Sequence, residues 1–261
     1  MSTKNKQGEL WGTAPNDWAL YLEITFIPLY KKVISKLNPA PQSQVLDIGC
    51  GSGLFLRMVN AKGATATGID VSPELLGIAL QRNPQTTLLN QDMENLPFSD
   101  KSFDMVTGFN SFQYSEDIIK VLKEIKRVLK DDGKLAIGVW GSAAECEALK
   151  VLASIASLLP EQPAGSPGPL ALSEEGKVEK LLTASGFKIL EKGTAEGHWN
   201  FSSLDEAMKG ILSAGPSAEA ISYAGIEKVK EQLMRTFETF NIYDEIYVLE
   251  NVFHYFIAGK M

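Results

Sequence analysis

Residues 44–53, Gln44-Val45-Leu46-Asp47-Ile48-Gly49-Cys50-Gly51-Ser52-Gly53, decide the fold. An aliphatic run, Val45 to Ile48, passes into three glycines at alternate positions, after which Leu54 to Ala61 has helical spacing closed by Gly63. A strand that turns through glycines into a helix forms a nucleotide-type loop. Glycine permits torsions and close approaches that a side chain blocks, and the helix start presents free N–H groups.

Outward from this loop, short aliphatic runs alternate with helical periods, the pattern of parallel strands joined by crossover helices. Thr65 to Ile69 is the second strand. Ser72-Pro73-Glu74 supplies an N-cap, a proline at the first helical position and an acid in the first turn of a helix through about Gln81. Thr86 to Leu89 and Phe103 to Phe109 are the third and fourth strands. Ser115 is expected to cap a helix with Ile118, Val121, Leu122, Ile125, Val128 and Leu129 on one face, ended by Gly133. Leu135 to Trp140 reads as a fifth strand.

Beyond it, Pro160, Pro163, Gly165, Pro167, Gly168 and Pro169 mark an irregular connector before a helix from about Glu174 to Ala184, ended by Gly186. Phe187 to Leu190 is a sixth strand, Leu204 to Leu212 and Ile226 to Phe240 are helices, and Val252 to Ala258 is the last strand. Trp11 to Leu37 is a helical region containing Pro15 and Pro28. The expected fold is α/β: a Rossmann-like, seven-stranded, mostly parallel sheet with helices on both faces, a helical N-terminal lid and helical insertions. As one domain over 1–261, it divides into a lid at 1–40, a cofactor-binding half at 44–141, substrate-pocket insertions at 142–172 and 194–249, and remaining sheet elements at 173–193 and 250–261.

Composition narrows the function classes. With 44% hydrophobic and 22% charged residues and a net charge of -7, the 261 residues suit a globular chain that buries a large core. Two cysteines, Cys50 and Cys146, make no disulfide framework, which points to a reducing, cytoplasmic setting. No signal-type apolar region follows the start. The most apolar stretches, Leu135 to Trp140 and the interrupted Val248 to Ala258, fall short of the roughly 20 residues of a membrane helix, so no membrane partner is expected. The acidic balance disfavours nucleic acid. The basic residues between Lys120 and Lys134 interleave with Asp131 and Asp132 as a solvated helix face does.

Which nucleotide the loop suits follows from its neighbours. The dinucleotide fingerprint requires glycine at 54 or 56, where Leu54 and Leu56 stand, and no Gly-Lys-Ser/Thr follows for a phosphate-binding P-loop. Asp47, at the strand end, would repel a pyrophosphate and suit a cationic ligand. S-adenosylmethionine, with its sulfonium and ammonium, is such a ligand, and its ribose calls for an acid after the second strand. Asp70 stands there, 21 residues beyond Gly49.

Four further stretches extend the pattern: Gly68-Ile69-Asp70-Val71-Ser72, Asp92-Met93-Glu94-Asn95-Leu96-Pro97-Phe98, Ser102-Phe103-Asp104-Met105-Val106 and Arg127-Val128-Leu129-Lys130-Asp131-Asp132-Gly133-Lys134-Leu135. With the glycine loop they resemble the class I S-adenosylmethionine-dependent methyltransferases of the bacterial small-molecule type, the type 11 domain, over Gln44 to Gly141. The resemblance implies methyl transfer to a small-molecule acceptor by in-line displacement. It also implies a cofactor-binding set of Trp18, Asp47, Gly49, Cys50, Gly51, Gly53, Asp70, Val71, Asp92, Met93, Phe109 and Asn110. In that set Asp47 and the loop serve the methionine end, Asp70 the ribose, and Asp92 with the Met93 N–H the adenine. Phe109 and Asn110 lie near the transferring methyl.

Phe112, Gln113, Tyr114 and Trp199 are assigned to the acceptor, although Phe112 and Tyr114 would equally fill space under the following helix. His198 is the candidate catalytic base if it faces the pocket, and otherwise a rim histidine. No metal site is expected. The Asn/Asp-Pro-Pro-aromatic pattern of adenine-in-DNA methyltransferases is absent at Asn110-Ser111-Phe112, which again disfavours nucleic acid. A nicotinamide-type oxidoreductase and a non-catalytic S-adenosylmethionine-binding protein are the alternatives, with a monomer or homodimer as the assembly.

Overall fold

The chain opens with α1 (Thr3–Trp11), α2 (Pro15–Asp17) and α3 (Ile27–Leu37), with a π-helical turn at Trp18–Leu22 and a 3-10 turn at Glu23–Phe26 before α3. Strands β1 (Gln44–Ile48), β2 (Thr65–Asp70), β3 (Thr87–Asn90), β4 (Phe103–Phe109) and β5 (Leu129–Trp140) follow. Between them run α4 (Leu54–Asn60), α5 (Pro73–Arg82) and α6 (Ile118–Val128). After β5 come α7 (Glu147–Ala156), α8 (Lys177–Ala184), β6 (Phe187–Glu196) and β7 (Trp199–Phe201). The chain finishes through α9 (Leu204–Leu212), α10 (Gly215–Ala224), α11 (Ile226–Phe237), β8 (Ile242–Tyr243), β9 (Ile246–Leu249) and β10 (Val252–Lys260). This computed structural model describes residues 3–161, 163, 166–240, 242–243 and 246–261; Gly165 of the expected connector and the first two residues lie outside them.

Among the described residues, seven strands form one sheet in the order β3-β2-β1-β4-β5-β10-β6. β1 lies parallel to β2 and β4, β2 to β3, and β4 to β5, whereas β10 runs antiparallel to β5 and β6. The strand order reverses at β1, so the carboxyl ends of β1 and β4 flank the crevice where such sheets bind ligands. The reversed direction of β10 has a simple cause. The chain leaves β6 at the carboxyl edge, makes β7 to β9 and α9 to α11 there, and re-enters the sheet from that same edge.

The strand period of two sends neighbouring side chains to opposite faces. Val45 joins the apolar cluster of α3 and α4, while Leu46 and Ile48 join the cluster beneath α6. Helix α6 buries Val121, Leu122, Ile125 and Val128 as one stripe. Cys50 and Cys146 are free and buried. No helix of the described residues is long and apolar enough to cross a membrane.

Several local expectations are corrected. Asp117, not Ser115, caps α6: its carboxylate accepts from the Ile119 and Lys120 N–H groups, while the Ser115 hydroxyl donates to the Phe112 carbonyl at 2.8 Å. Helix α6 stops at Val128 rather than at Gly133, because Ser102 N–H donates to the Val128 carbonyl and Leu129 pairs with Phe103, drawing the chain into β5. The sixth strand extends to Glu196, and a second, three-stranded sheet, β7-β9-β8, stands beyond it. Alanine in place of Asp117 is expected to destabilise the fold by about 1 kcal/mol, since two helix-start donors lose their acceptor. Urea unfolding followed by circular dichroism measures that difference.

Candidate functional site

Asp47 lies at the end of the central strand β1, fully buried, and accepts a 2.6 Å hydrogen bond from the Thr107 hydroxyl of β4. The loop that follows is held by β2: the Gly49 and Cys50 N–H groups donate to the Ile69 carbonyl at 2.8 and 3.0 Å, and Gly51 N–H donates to Asp70 Oδ2 at 2.8 Å. Gly49 and Gly51 have φ of +74° and +53°. A Cβ on Gly49 would stand 2.4 Å from the Ser111 Cβ, so glycine lets the ends of β1 and β4 close together. Asp70 also accepts from Ser72 N–H at 2.9 Å. A carboxylate offers about four acceptor positions, which leaves capacity for a ligand's hydroxyls.

Glu23 completes the cluster from the N-terminal segment. Its buried carboxylate takes the Ser52 hydroxyl and an Arg82 guanidinium N–H, and the Leu54 N–H reaches its other oxygen at 3.4 Å. Arg82 also donates to the Ser52 carbonyl at 3.2 Å and to the Ala19 carbonyl at 3.0 Å. This ion pair, buried on the Glu23 side and half-buried on the Arg82 side, thus ties the N-terminal turns, the glycine loop and α5 together.

Charge accumulates here. Burial pushes the Glu23 and Asp70 carboxyls above the usual carboxylate range, against the hydrogen bonds that pull them down. Burial, aided by the negative charges of Asp70 and Glu23, raises Asp47 to about 7 despite the Thr107 hydrogen bond.

These elements open into a cavity of about 1320 Å³ including its open mouth, lined by acids and aromatic rings. Trp18, Gly49, Cys50, Gly51, Asp70, Val71, Asp92, Met93, Phe109 and Asn110 line it, as do Tyr114 and Trp199. The insertions contribute Leu152, Pro169, Ala214 and Pro216, and the N-terminal region contributes Lys4, Gln7, Trp11, Leu22, Glu23, Phe26 and Tyr30. Trp11 packs edge-on against Trp18 and Tyr114, with ring centroids 4.9 and 5.6 Å apart. Three lining side chains have buried polar atoms with no hydrogen-bond partner: the Trp18 and Trp199 indole N–H groups and the Asn110 amide. Unpaired buried polar groups are costly, and a polar ligand would relieve them.

Other expected site residues stand elsewhere. Asp47 lies beneath the loop rather than on the cavity wall. Gly53 has φ +78° and abuts Ala79 and Asn83, so it seats the loop against α5 instead of lining the space. Phe112 is buried under Gly108, where any Cβ would fall 2.4 Å from its ring, and Gln113 is buried beside it; neither lines the cavity. His198, the candidate base, also stands outside the cavity. It projects from the β6–β7 turn towards Glu196, 3.8 Å away, with a half-exposed side chain outside the cavity. His254 pairs with Glu145 at 3.2 Å, also outside. Sequence reading missed Glu23, whose signal is a lone charge in the apolar run Leu20-Tyr21-Leu22-Glu23-Ile24. Arg82 gave no signal, because a helix-terminal arginine normally points to solvent.

Comparison with known proteins places this geometry. The sequence model of the family described as methyltransferase domain matches residues 46–137. The chain is 36% identical over 104 residues to demethylmenaquinone methyltransferase of Chlorobaculum tepidum, covering 40% of this chain and 43% of that one. It is 29% identical over 195 residues to malonyl-[acyl-carrier protein] O-methyltransferase of Buchnera aphidicola, covering 73% and 78%. The chain spans 43% to 64% of the length of the first curated relatives it matches. A solved phosphoethanolamine N-methyltransferase 2 from Haemonchus contortus superposes with a TM-score of 0.62 at 18% identity, over 100% of this chain and 60% of that one, a likeness of fold.

A carboxyl raised in the folded state favours folding below its unfolded pKa and withdraws that contribution as pH rises towards 7. Asp47→Asn keeps an acceptor for Thr107 and removes the buried charge. It is therefore expected to raise the ligand-free unfolding midpoint at pH 8 by roughly 2–6 °C and to change it little near pH 4. Differential scanning calorimetry at the two pH values measures this.

Proposed function

From a chain whose residues 46–137 match the methyltransferase-domain family model, on a seven-stranded sheet whose order reverses at β1, we propose an S-adenosylmethionine-dependent methyltransferase acting on a small-molecule acceptor. The observation that carries this reading is the cluster of Glu23, Asp47 and Asp70 around a glycine loop that opens on an aromatic cavity. Such a cluster suits a cation and repels a pyrophosphate, which sets the nicotinamide reading aside. The unpartnered Trp18 and Asn110 groups at the loop end fit a ligand rich in polar atoms. When bound, S-adenosylmethionine would supply a sulfonium methyl carbon for in-line attack by an acceptor's lone pair, with S-adenosylhomocysteine as the leaving group.

The residues of this chain then have separate tasks. The Gly49–Gly51 loop and the acids beside it hold the cationic amino-acid end, and Asp70 accepts from the ribose hydroxyls. Asp92 and the Met93 N–H take the base; Asp92 Oδ1 also accepts from Glu94 N–H at 2.9 Å, which fixes its turn. Trp18, Phe109 and Tyr30 border the region beyond the loop with aromatic faces, which favour a sulfonium and exclude water. Alignment and desolvation supply the acceleration. No histidine lines the cavity among the described residues, so the proposed reaction uses none as base.

Thermal-shift measurements with S-adenosylmethionine, S-adenosylhomocysteine and NAD test the reading. A ligand at about 100 times its dissociation constant stabilises by about 2.7 kcal/mol, so both sulfur ligands are expected to raise the midpoint and NAD to leave it unchanged. Absence of a shift with both sulfur ligands contradicts the proposal. His198→Ala is expected to retain turnover within about twofold, as a surface change away from the site does; a loss of a hundredfold or so would restore it as the base.

A further inference from the structure

The charged side chains that line the cavity all belong to one half of it. Asp70 ends β2, Asp92 and Glu94 follow β3, and Glu116 joins them because its N–H donates to Glu94 Oε1 at 2.7 Å. Glu23 sits on the loop after β1. Lys4 lies on α1, whose Gly8 crosses the end of β2 so closely that a Cβ would stand 2.4 Å from the Val71 carbonyl oxygen. The other half, over β5 and β10, is lined by Phe26, Trp140, Leu152, Trp199, Ala214 and Pro216, with no charged side chain among the described residues. Asn110, at the end of β4, stands between the halves.

Three facts about the uncharged half restrict what enters it. Its rings interlock, with Phe26 and Trp140 centroids 5.7 Å apart and Trp140 and Trp199 5.6 Å apart, both edge-on, a wall that suits another flat ring. It offers no cation to a carboxylate or phosphate, and the acids of the neighbouring half oppose an anion further. Trp199, 1% exposed, holds an indole N–H for which the protein provides no acceptor. An indole only donates, so an acceptor atom of a ligand seated here would satisfy it.

We propose that this half receives the methyl acceptor as an uncharged aromatic molecule whose oxygen takes the Trp199 indole N–H, an inference that rests on the methyl-transfer reading above. The division of labour follows the topology. The cofactor half is built from the parallel strands and their loops, and the acceptor half from what the chain inserts before and after β6. Carboxylate-bearing and phosphate-bearing acceptors, which need a cationic partner when desolvated, are excluded by the same wall.

Calorimetric titration of the full chain saturated with S-adenosylhomocysteine tests the proposal with 2-naphthol, 2-naphthoate and 2-naphthyl phosphate, probes that share one ring system and differ in charge. The naphthol is expected to bind at least about tenfold more tightly than either anion. Trp199→Phe is expected to weaken naphthol binding by about three- to tenfold and to leave S-adenosylhomocysteine affinity unchanged. Equal or tighter binding of either anion, no binding of naphthol, or an unaltered naphthol affinity in Trp199→Phe overturns the proposal. Should that variant not fold, the contrast between naphthol and its anions on the wild-type chain decides alone. Failure of S-adenosylhomocysteine itself to bind contradicts the methyl-transfer reading instead.

Discussion

Glu23, Asp47 and Asp70 are buried around a single glycine loop, and among the described residues Arg82 is the one cation in direct contact with them. Burial raises the proton affinity of all three, and Asp70 and Glu23 raise that of Asp47 further; the fold keeps them there with backbone donors, the Thr107 hydroxyl and one ion pair. Breaking a buried pair by removing one partner leaves an uncompensated charge and typically costs 3–5 kcal/mol. The Glu23–Arg82 contact therefore governs more than local packing. It fixes the N-terminal segment on the loop, and with it Trp18 and Phe26, which form part of the cavity wall.

Topology does the rest of the positioning. Because β1 is the strand at which the order reverses, its loop faces the crevice shared with β4, and the close approach of Gly49 to Ser111 brings Asn110 to the boundary between the two halves of the cavity. Because β10 returns antiparallel, all of β7 to β9 and α9 to α11 stays at the carboxyl edge of the sheet. Trp199, Ala214 and Pro216 reach the cavity for that reason. The acidic half and the aromatic half are thus consequences of strand order and strand direction.

Much of this could be read from the chain itself. Glycines at 49, 51 and 53, an acid at 47 and another at 70 prescribe a strand, a loop and a ligand of particular charge, since only glycine tolerates those torsions and a buried acid restricts its neighbours. The period of α6 showed its buried face. What failed to show depends on distance or on competition. Glu23 and Arg82 are 59 residues apart, and nothing local in either segment announces the pair. Gly133 resembled a helix terminator, but pairing of Leu129 with Phe103 captured the chain four residues earlier. Ser115 and Asp117 both suit a cap, and the Phe112 carbonyl took the serine. Phe112 and His198 follow the right strands, yet a residue's place in a loop does not fix which way its side chain turns. Strands as short as β7 and β8 carry too few residues for a period to register.

The proposed methyl transfer requires this acid cluster to receive a positive charge. Burial raises Asp47 to about 7, and a cation held at the loop above it favours the ionised carboxylate. Calorimetric titration of S-adenosylmethionine at pH 7 in buffers of different ionisation enthalpy counts protons directly. Binding with net release of a fraction of a proton is expected, and the release disappears in Asp47→Asn. Binding with no proton release, or with uptake, would contradict it.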